Sequence, residues 1–496
     1  MIRKNHIVKI NLHGGIVAAG NLYAIMCAAE NAQVKEVQFG TRQQLYFKVA
    51  DKFVEDFLIA LGEAGIGYEA NVELFPNIVS SYVTEEVFQN ANWLSEGVYK
   101  DILDLFDFKP RLKINIVDSG QTFVPFFTGN INFIASPTSN YWYLHIRFPK
   151  TNNMYKWPGL IYTGDIPRIS KLLEETISEN QQQFAGAPQA NGDSLPALVY
   201  AKANFITQPV EQELKLPDFT LPYYEGFNNY GNKTWLGIHR RDDQFDVAFL
   251  KDVCAICLKT KVGQLYTTPW KSLVIKAIQQ SDRKLWNYVL GKFRINVRHA
   301  SNELNWQVED LSEEGLQLKR FLVRGFDKDD VRTYGLCFAV KTRPQSGLFG
   351  SVIIRKQENK APNKYKMLDR YDILYTPDFN PNSKEFILFR KDIEKENLEL
   401  YLVSLCKYFY EWQNEEVSNH AIYQQQMNDS NAIVTKDIKV HQCGYCFTIY
   451  DPVYGDESSG IAPGIAFNEL ENYECPTCSA AVGNFKQVTK PDEITA

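Results

Sequence analysis

The chain has 496 residues, of which 45% are hydrophobic, and a net charge of −6. That length suits roughly three domains with sizeable cores, and so mild a charge gives no reason to expect a nucleic-acid partner. No run approaches the ~18 apolar residues of a membrane span, and the N-terminus lacks the apolar core of a signal peptide, so the chain reads as a soluble protein of a reducing cytoplasm.

In chain order, residues 7–12 alternate and predict a strand, which Gly14 and Gly15 interrupt. The stripe Leu22, Ile25, Met26 and Ala29 predicts a helix over 21–32 with Asn21 as its N-cap. Residues 34–39 and 45–49 read as strands joined by Gly40-Thr41-Arg42-Gln43-Gln44, and Asp51 opens a second helix carrying Phe53, Phe57, Leu58 and Leu61 that stops at Gly65. Strand, helix, strand, strand, helix, strand is the order of a split βαβ unit of ferredoxin-like type.

The same order recurs. Residues 235–239 predict a strand, 249–259 a helix, 262–266 and 273–277 strands around the turn Thr268-Pro269-Trp270-Lys271, and 283–290 a helix. Leu22 and Leu250 stand 228 positions apart, as do Leu45 and Leu273, so a duplicated pair of domains is the simplest account. Cys254 and Cys257 fall on the helix of the second copy among Phe249, Leu250, Val253, Ile256 and Leu258, and read as packing on a buried face rather than as a redox pair. Residues 180–194, rich in Gln, Asn, Gly, Ala and Pro, read as a mobile connector. A closing amphipathic helix is expected over 394–412, then a polar linker. The expectation is an α+β chain with halves at 1–195 and 196–412, a linker at 413–438, a small module at 439–488 and a tail at 489–496.

That small module carries the most specific chemistry. Cys443, Cys446, Cys475 and Cys478 form two C-x-x-C pairs with 28 residues between them. Each pair puts two thiolates on one tight turn, and two such turns can converge on a tetrahedral ion. Iron in such a site moves one electron, whereas zinc only staples the fold. Asp451-Pro452, Gly455-Asp456, Gly460, Pro463-Gly464 and Phe467 fill the loop between the pairs, and Tyr473, Pro476 and Phe485 surround the second pair. Across about 439–488 this pattern resembles rubredoxin. The resemblance implies one iron held by the four cysteines, cycling between ferric and ferrous, around a small aromatic core of Tyr450, Phe467, Tyr473 and Phe485.

Three departures stand out. Phe447 and Ser479 occupy positions where the family usually has glycine, the spacing before the third cysteine is one residue short, and Tyr473 replaces the usual tryptophan. The alternative is a structural zinc ribbon. Lys439 and Lys486 stand against Asp451, Asp456, Glu457, Glu469, Glu471 and Glu474, a net −4 over 439–488. Such an acidic skin suits docking to a basic partner face, and equally suits an ordinary solvated surface.

A second resemblance covers roughly 7–355 in pieces. Asn21-Leu22-Tyr23-Ala24-Ile25, Phe39-Gly40-Thr41-Arg42-Gln43 and residues 58–65 are similar to the ferredoxin-like half-domain of sirohaem-dependent nitrite and sulfite reductases. The turn Thr268-Pro269-Trp270-Lys271 is similar to the matching turn of their second half, and Pro110-Arg111-Leu112-Lys113 to a strand carrying anion-binding cations. The resemblance implies that Arg42, Arg111 and Lys113 face a sirohaem and its anion; otherwise they are strand-end cations. Residues 77–79 resemble a further stretch, with Pro76 where that family has arginine. These reductases hold a four-iron cluster on four cysteines after the second repeat, where residues 321–356 offer only Cys337. No iron–sulfur cluster is therefore expected, and the scaffold reads as one that has lost its cofactor ligands.

The expected function is electron transfer through one iron on the four cysteines, with the reductase-like region docking a partner reductase as donor or acceptor in nitrite or sulfite assimilation. A nitrite/sulfite reductase-like enzyme that binds sirohaem without the coupled cluster is the second reading, and a zinc-ribbon interaction protein the third. No catalytic residue is assigned.

Overall fold

The computed structural model describes residues 5–489, apart from 89–92, 152, 186–191, 298–300, 345–346, 359–368, 384, 429–438, 453 and 471. The chain divides into two compact units, Met1–Asp327 with Thr333–Lys391, and Lys328–Arg332 with Asp392–Ala496. Parts of the expected connector and linker, and nearly all of the tail, lie outside the described residues.

In the larger unit the duplication is real. The strands Glu36–Phe39 and Leu45–Ala50 are matched 228 positions later by Gln264–Thr267 and Leu273–Ile278. Helix Ala19–Asn31 is matched in the same way by Val247–Thr260. The first helix buries Leu22, Ile25, Met26 and Ala29, the i, i+3, i+4 stripe that its sequence predicts. The second buries Phe249, Leu250, Val253, Cys254 and Cys257, so its cysteines are core side chains, and burial pushes the Cys257 thiol up to about 12. Both helices contribute to one core cluster that also holds Phe47, Phe57 and Trp286. Burying each of the two phenylalanines contributes about 1.5–3 kcal/mol.

Each copy lends an edge strand to the other. Ile16–Ala18 of the first pairs antiparallel with Gln264–Thr267 of the second. Gln244–Asp246 of the second pairs antiparallel with Glu36–Phe39 of the first, where Phe245 stacks on Phe39 at 4.2 Å between ring centroids. These two five-stranded sheets are therefore composite. This exchange corrects the predicted N-cap. The lent strand ends at Ala18 and the helix starts at Ala19, so Asn21 lies inside the first turn and caps nothing. The equivalent helix is capped, because Asp246 Oδ1 accepts from Phe249 N at 2.9 Å.

The duplication runs beyond the ferredoxin-like sheets. Val79–Ser80, Ile114–Val117 and Ile131–Ala135 run parallel, and Tyr141–Arg147 closes them antiparallel. Trp306–Val308, Phe338–Lys341 and Val352–Lys356 repeat that pattern, closed by Arg370–Tyr375.

Two boundaries differ from expectation. Residues 180–194 were expected as a connector, yet Gln181–Phe184 is helical and Phe184 and Leu195 are fully buried, so apolar anchors hold the described parts. The closing helix runs Leu398–Asn428 rather than ending at 412. Residues 413–428 contain no Pro or Gly and several good helix formers, so nothing in them stops the helix. No described helix is long and apolar enough to cross a membrane.

The smaller unit sets this helix beside a three-stranded sheet with Lys439–Cys443 in the centre, flanked by Ile449–Tyr450 and Phe485–Thr489. Tyr450, Phe467 and Tyr473 form its apolar cluster with Phe485 packed against them, the aromatic set read from the sequence.

Candidate metal centre

Two turns of the same shape carry the four cysteines. In the first, Phe447 N donates to Cys443 O at 3.0 Å and Cys443 N to Thr448 O at 2.9 Å. In the second, Ser479 N donates to Cys475 O and Cys475 N to Ala480 O, both at 2.8 Å. Every partner is displaced by 32 residues, so the two turns repeat one hydrogen-bond pattern. Phe447 and Ser479 adopt φ of 60° and 53°, the left-handed conformation that makes glycine the easier choice there.

The turns bring all four sulfurs within 4.8 Å of one another. Cys443 Sγ lies 3.7 Å from Cys478 Sγ, and Cys446 Sγ 3.2 Å from Cys475 Sγ. A tetrahedral ion with metal–sulfur bonds of about 2.3 Å sets its sulfurs about 3.8 Å apart, so the cage fits one ion. Cys443, Cys446 and Cys475 are buried, and Cys478 is partly exposed. Tyr445 N donates to Cys443 Sγ at 3.5 Å. Burial opposes ionisation of Cys475, but the Cys446 thiol and the N–H groups of Thr477 and Cys478 outweigh it and bring Cys475 down to about 7. Tyr473, at the usual tryptophan position, donates its hydroxyl to Asp456 Oδ2 at 2.8 Å, tying the core to the intervening loop. On the other side, Ser404 Oγ of the long helix donates to Cys446 O at 3.4 Å.

In the larger unit, Arg42, Arg111 and Lys113 line a single cleft of about 700 Å³ with Lys9, Asp310 and Arg343. Their situations differ. Arg42 is buried, and its guanidinium donates to Asn77 O at 3.1 and 2.8 Å, Ile114 O at 2.9 Å and Asn115 Oδ1 at 3.2 Å. Burial and then repulsion from Arg147 lower its pKa to about 9. Arg111 is exposed. Desolvation, then Arg42 and Arg147, bring Lys113 down to about 8. Lys113 remains open to solvent, so repulsion from the two guanidinium groups is the stronger physical reason. Asp310 stands on the same wall, where it accepts from Thr41 N at 2.9 Å and Gln44 Nε2 at 3.1 Å. Sequence reasoning missed Asp310 and Arg343, which are remote along the chain and carry no motif. The position 228 after Arg42 is Trp270, whose Nε1 donates to Phe123 O at 2.7 Å while its ring packs on Tyr224 and Phe349. The equivalent corner of the second copy is therefore filled with aromatic rings.

The family model described as Rubredoxin matches residues 440–485. The probable rubredoxin HupI of Bradyrhizobium diazoefficiens is 42% identical over 53 residues, which make up 10% of this chain and 77% of that protein. The chain belongs to the rubredoxin family through its C-terminal residues. Rubredoxin 4 of Rhodococcus sp. is 38% identical over 53 residues, 10% of this chain and 88% of that protein. The high molecular weight rubredoxin of Moorella thermoacetica is 47% identical over 49 residues, 10% of this chain, and the chain spans only 21% of that relative's length. Across 81% of this chain and 80% of the other, the fold is that of the NirA protein of Mycobacterium tuberculosis, with a TM-score of 0.62 and 12% identity. This likeness is one of fold, and it meets the expected α+β scaffold of ferredoxin-like sheets.

The rubredoxin domain thus keeps the full ligand set despite its departures. The left-handed turns survive with Phe447 and Ser479 in place of glycine, and a tyrosine fills the tryptophan position with its hydroxyl partnered. Cys337 and Cys406 are buried, and burial pushes each thiol up to about 12. Among the described residues, these four cysteines are the one group of three or more Cys, His, Asp or Glu side chains close enough to hold a metal ion.

Proposed function

We propose that the chain is a cytoplasmic electron-transfer protein, holding one iron on Cys443, Cys446, Cys475 and Cys478 and exchanging single electrons with redox partner proteins. The observation that carries this reading is the matched pair of turns with four sulfurs within 4.8 Å. Such a cage changes little between two oxidation states, which keeps the barrier to electron transfer low. The reductase-like region serves as the docking scaffold for a partner reductase in nitrite or sulfite assimilation. Covalent linkage holds the iron domain at high local concentration beside whatever the scaffold binds. Aerobic purification with an absorption spectrum and metal analysis tests the proposal. Red ferric–thiolate bands that bleach with dithionite, at one iron per chain, support it. A colourless protein with stoichiometric zinc after growth in iron-rich medium overturns it.

The cleft favours a second reading, in which the larger unit binds an anionic tetrapyrrole such as sirohaem and reduces a small anion with electrons from the domain's iron. Arg111 and Lys113 would then face carboxylates or the anion, while Arg42 holds the cleft wall. Soret and α bands in the same spectrum, weakened by Arg111→Ala and Lys113→Ala, support this reading; their absence after reconstitution with sirohaem removes it.

A further inference from the structure

The two cysteine turns match in backbone but not in the side chains that approach the sulfurs. Thr448 Oγ1 lies 3.0 Å from Cys446 Sγ, close for a contact with sulfur. The equivalent position in the second turn, 32 residues on, is Ala480, which has no hydroxyl. Cys446 is thus approached by a side-chain hydroxyl that its counterpart in the second turn, Cys478, does not receive from the corresponding residue. The hydroxyl has a second neighbour, since Thr448 Oγ1 donates to Thr477 Oγ1 at 2.9 Å across the two turns. With iron bound, Cys446 is a thiolate without a proton. Any hydrogen bond between the two must then be donated by Thr448, whose single proton turns from Thr477 to the sulfur.

We propose that Thr448 is a positioning residue that raises the electron affinity of the iron site by donating to the Cys446 thiolate, with Thr477 as the competing acceptor of the same proton. The inference rests on the iron reading above. Reduction adds one electron and no proton; the Thr448 proton stays on its oxygen. The added negative charge spreads over the sulfurs, so a donor aimed at one of them stabilises the reduced state more than the oxidised one. Because Cys446 is buried, water does not readily replace that donor.

The test uses the full-length, iron-loaded chain. Midpoint potentials are read by spectroelectrochemical titration, and iron–sulfur stretching frequencies by resonance Raman scattering in light and heavy water. Thr448→Val should weaken electron affinity about tenfold, which for one electron is about 59 mV. It should also abolish part of the heavy-water sensitivity. Thr448→Ser should retain both properties, and Thr477→Val, which removes the competing acceptor, should shift the potential in the opposite direction by less. An unchanged potential in iron-loaded Thr448→Val overturns the inference, as does a Thr448→Ser chain that shifts as far as the valine variant. Should the valine variant fail to take up iron, Thr477→Val decides, and a potential there that is unmoved or lowered overturns the proposal. A wild-type chain that binds no iron overturns the iron reading itself, a result distinct from iron bound with its potential unmoved.

Discussion

Phe447 and Ser479 hold the same left-handed backbone, at φ of 60° and 53°, at matching exits of the two cysteine turns. An L-residue there bears strain of about 1–2 kcal/mol that glycine does not. Glycine gives part of this back through its freer unfolded chain. Ser479→Gly should therefore stabilise the iron domain by about 0.5–1 kcal/mol, and Ser479→Val, β-branched, should destabilise it by more than about 1 kcal/mol. The guanidinium midpoint for loss of the iron–thiolate absorption reads both. Equal midpoints for all three chains would mean that no strain is held there.

Arg42 and Arg111 line one cleft but should behave differently on truncation. Arg42→Ala leaves the buried carbonyls of Asn77 and Ile114 without their donor and should destabilise the larger unit by about 2–4 kcal/mol. Arg111→Ala removes an exposed side chain and should stay within about 0.5 kcal/mol of wild type. Calorimetry of the two variants checks the contrast, and similar losses for both would contradict it.

A pH effect follows from Lys276. It is 3% exposed, lies 4.7 Å from the centre of the Tyr266 ring, and donates to Glu85 O at 2.7 Å and Tyr82 O at 3.2 Å. Burial outweighs the attraction of Glu96, Glu85 and Glu86 and brings it down to about 8. Between about pH 8 and the ordinary lysine value near 10.4, the unfolded chain therefore binds the extra proton, so stability rises with pH by up to about 1.4 kcal/mol per unit. Below about pH 8 the effect is flat. Compared with Lys276→Met, the wild-type chain should gain on the order of 2 kcal/mol between about pH 7.5 and about pH 10 in urea unfolding. A constant difference would show that Lys276 titrates normally.

Cys475→Ser removes one sulfur from the cage. It should abolish the iron absorption while the circular dichroism and thermal transition of the unit formed by Met1–Asp327 and Thr333–Lys391 persist. Collapse of both units together would contradict their separate compactness.

Much of this molecule was legible in its residues. The cysteine turns are local, so spacing alone placed Cys443, Cys446, Cys475 and Cys478, and the repeat showed in Leu22 and Leu250 because a core helix keeps its apolar stripe through duplication. What escaped was set by long-range pairing. Ile16–Ala18 is too short to announce itself as a strand, and its partner, Gln264–Thr267, is remote along the chain. Asn21 looked like a cap because local rules cannot see that the preceding residues are already paired. The role of Arg42 as a strut depends on the Asn77 and Ile114 carbonyls, which carry no sequence signal at all. Thr448 stood in view as a departure from no stated pattern, and only its distance to Cys446 Sγ gives it meaning.

The lent edge strands carry a consequence for how the protein is made. Sheet pairing of Glu36–Phe39 is complete only when Gln244–Asp246 arrives, roughly 200 residues later, which at about 5–20 residues per second is roughly 10–40 s of synthesis. Throughout that interval the nascent first copy presents an unpaired strand edge to the cell, the feature through which chains aggregate. A gene encoding only the first copy should yield a product dependent on chaperones, or one that finds its missing strand in a second molecule.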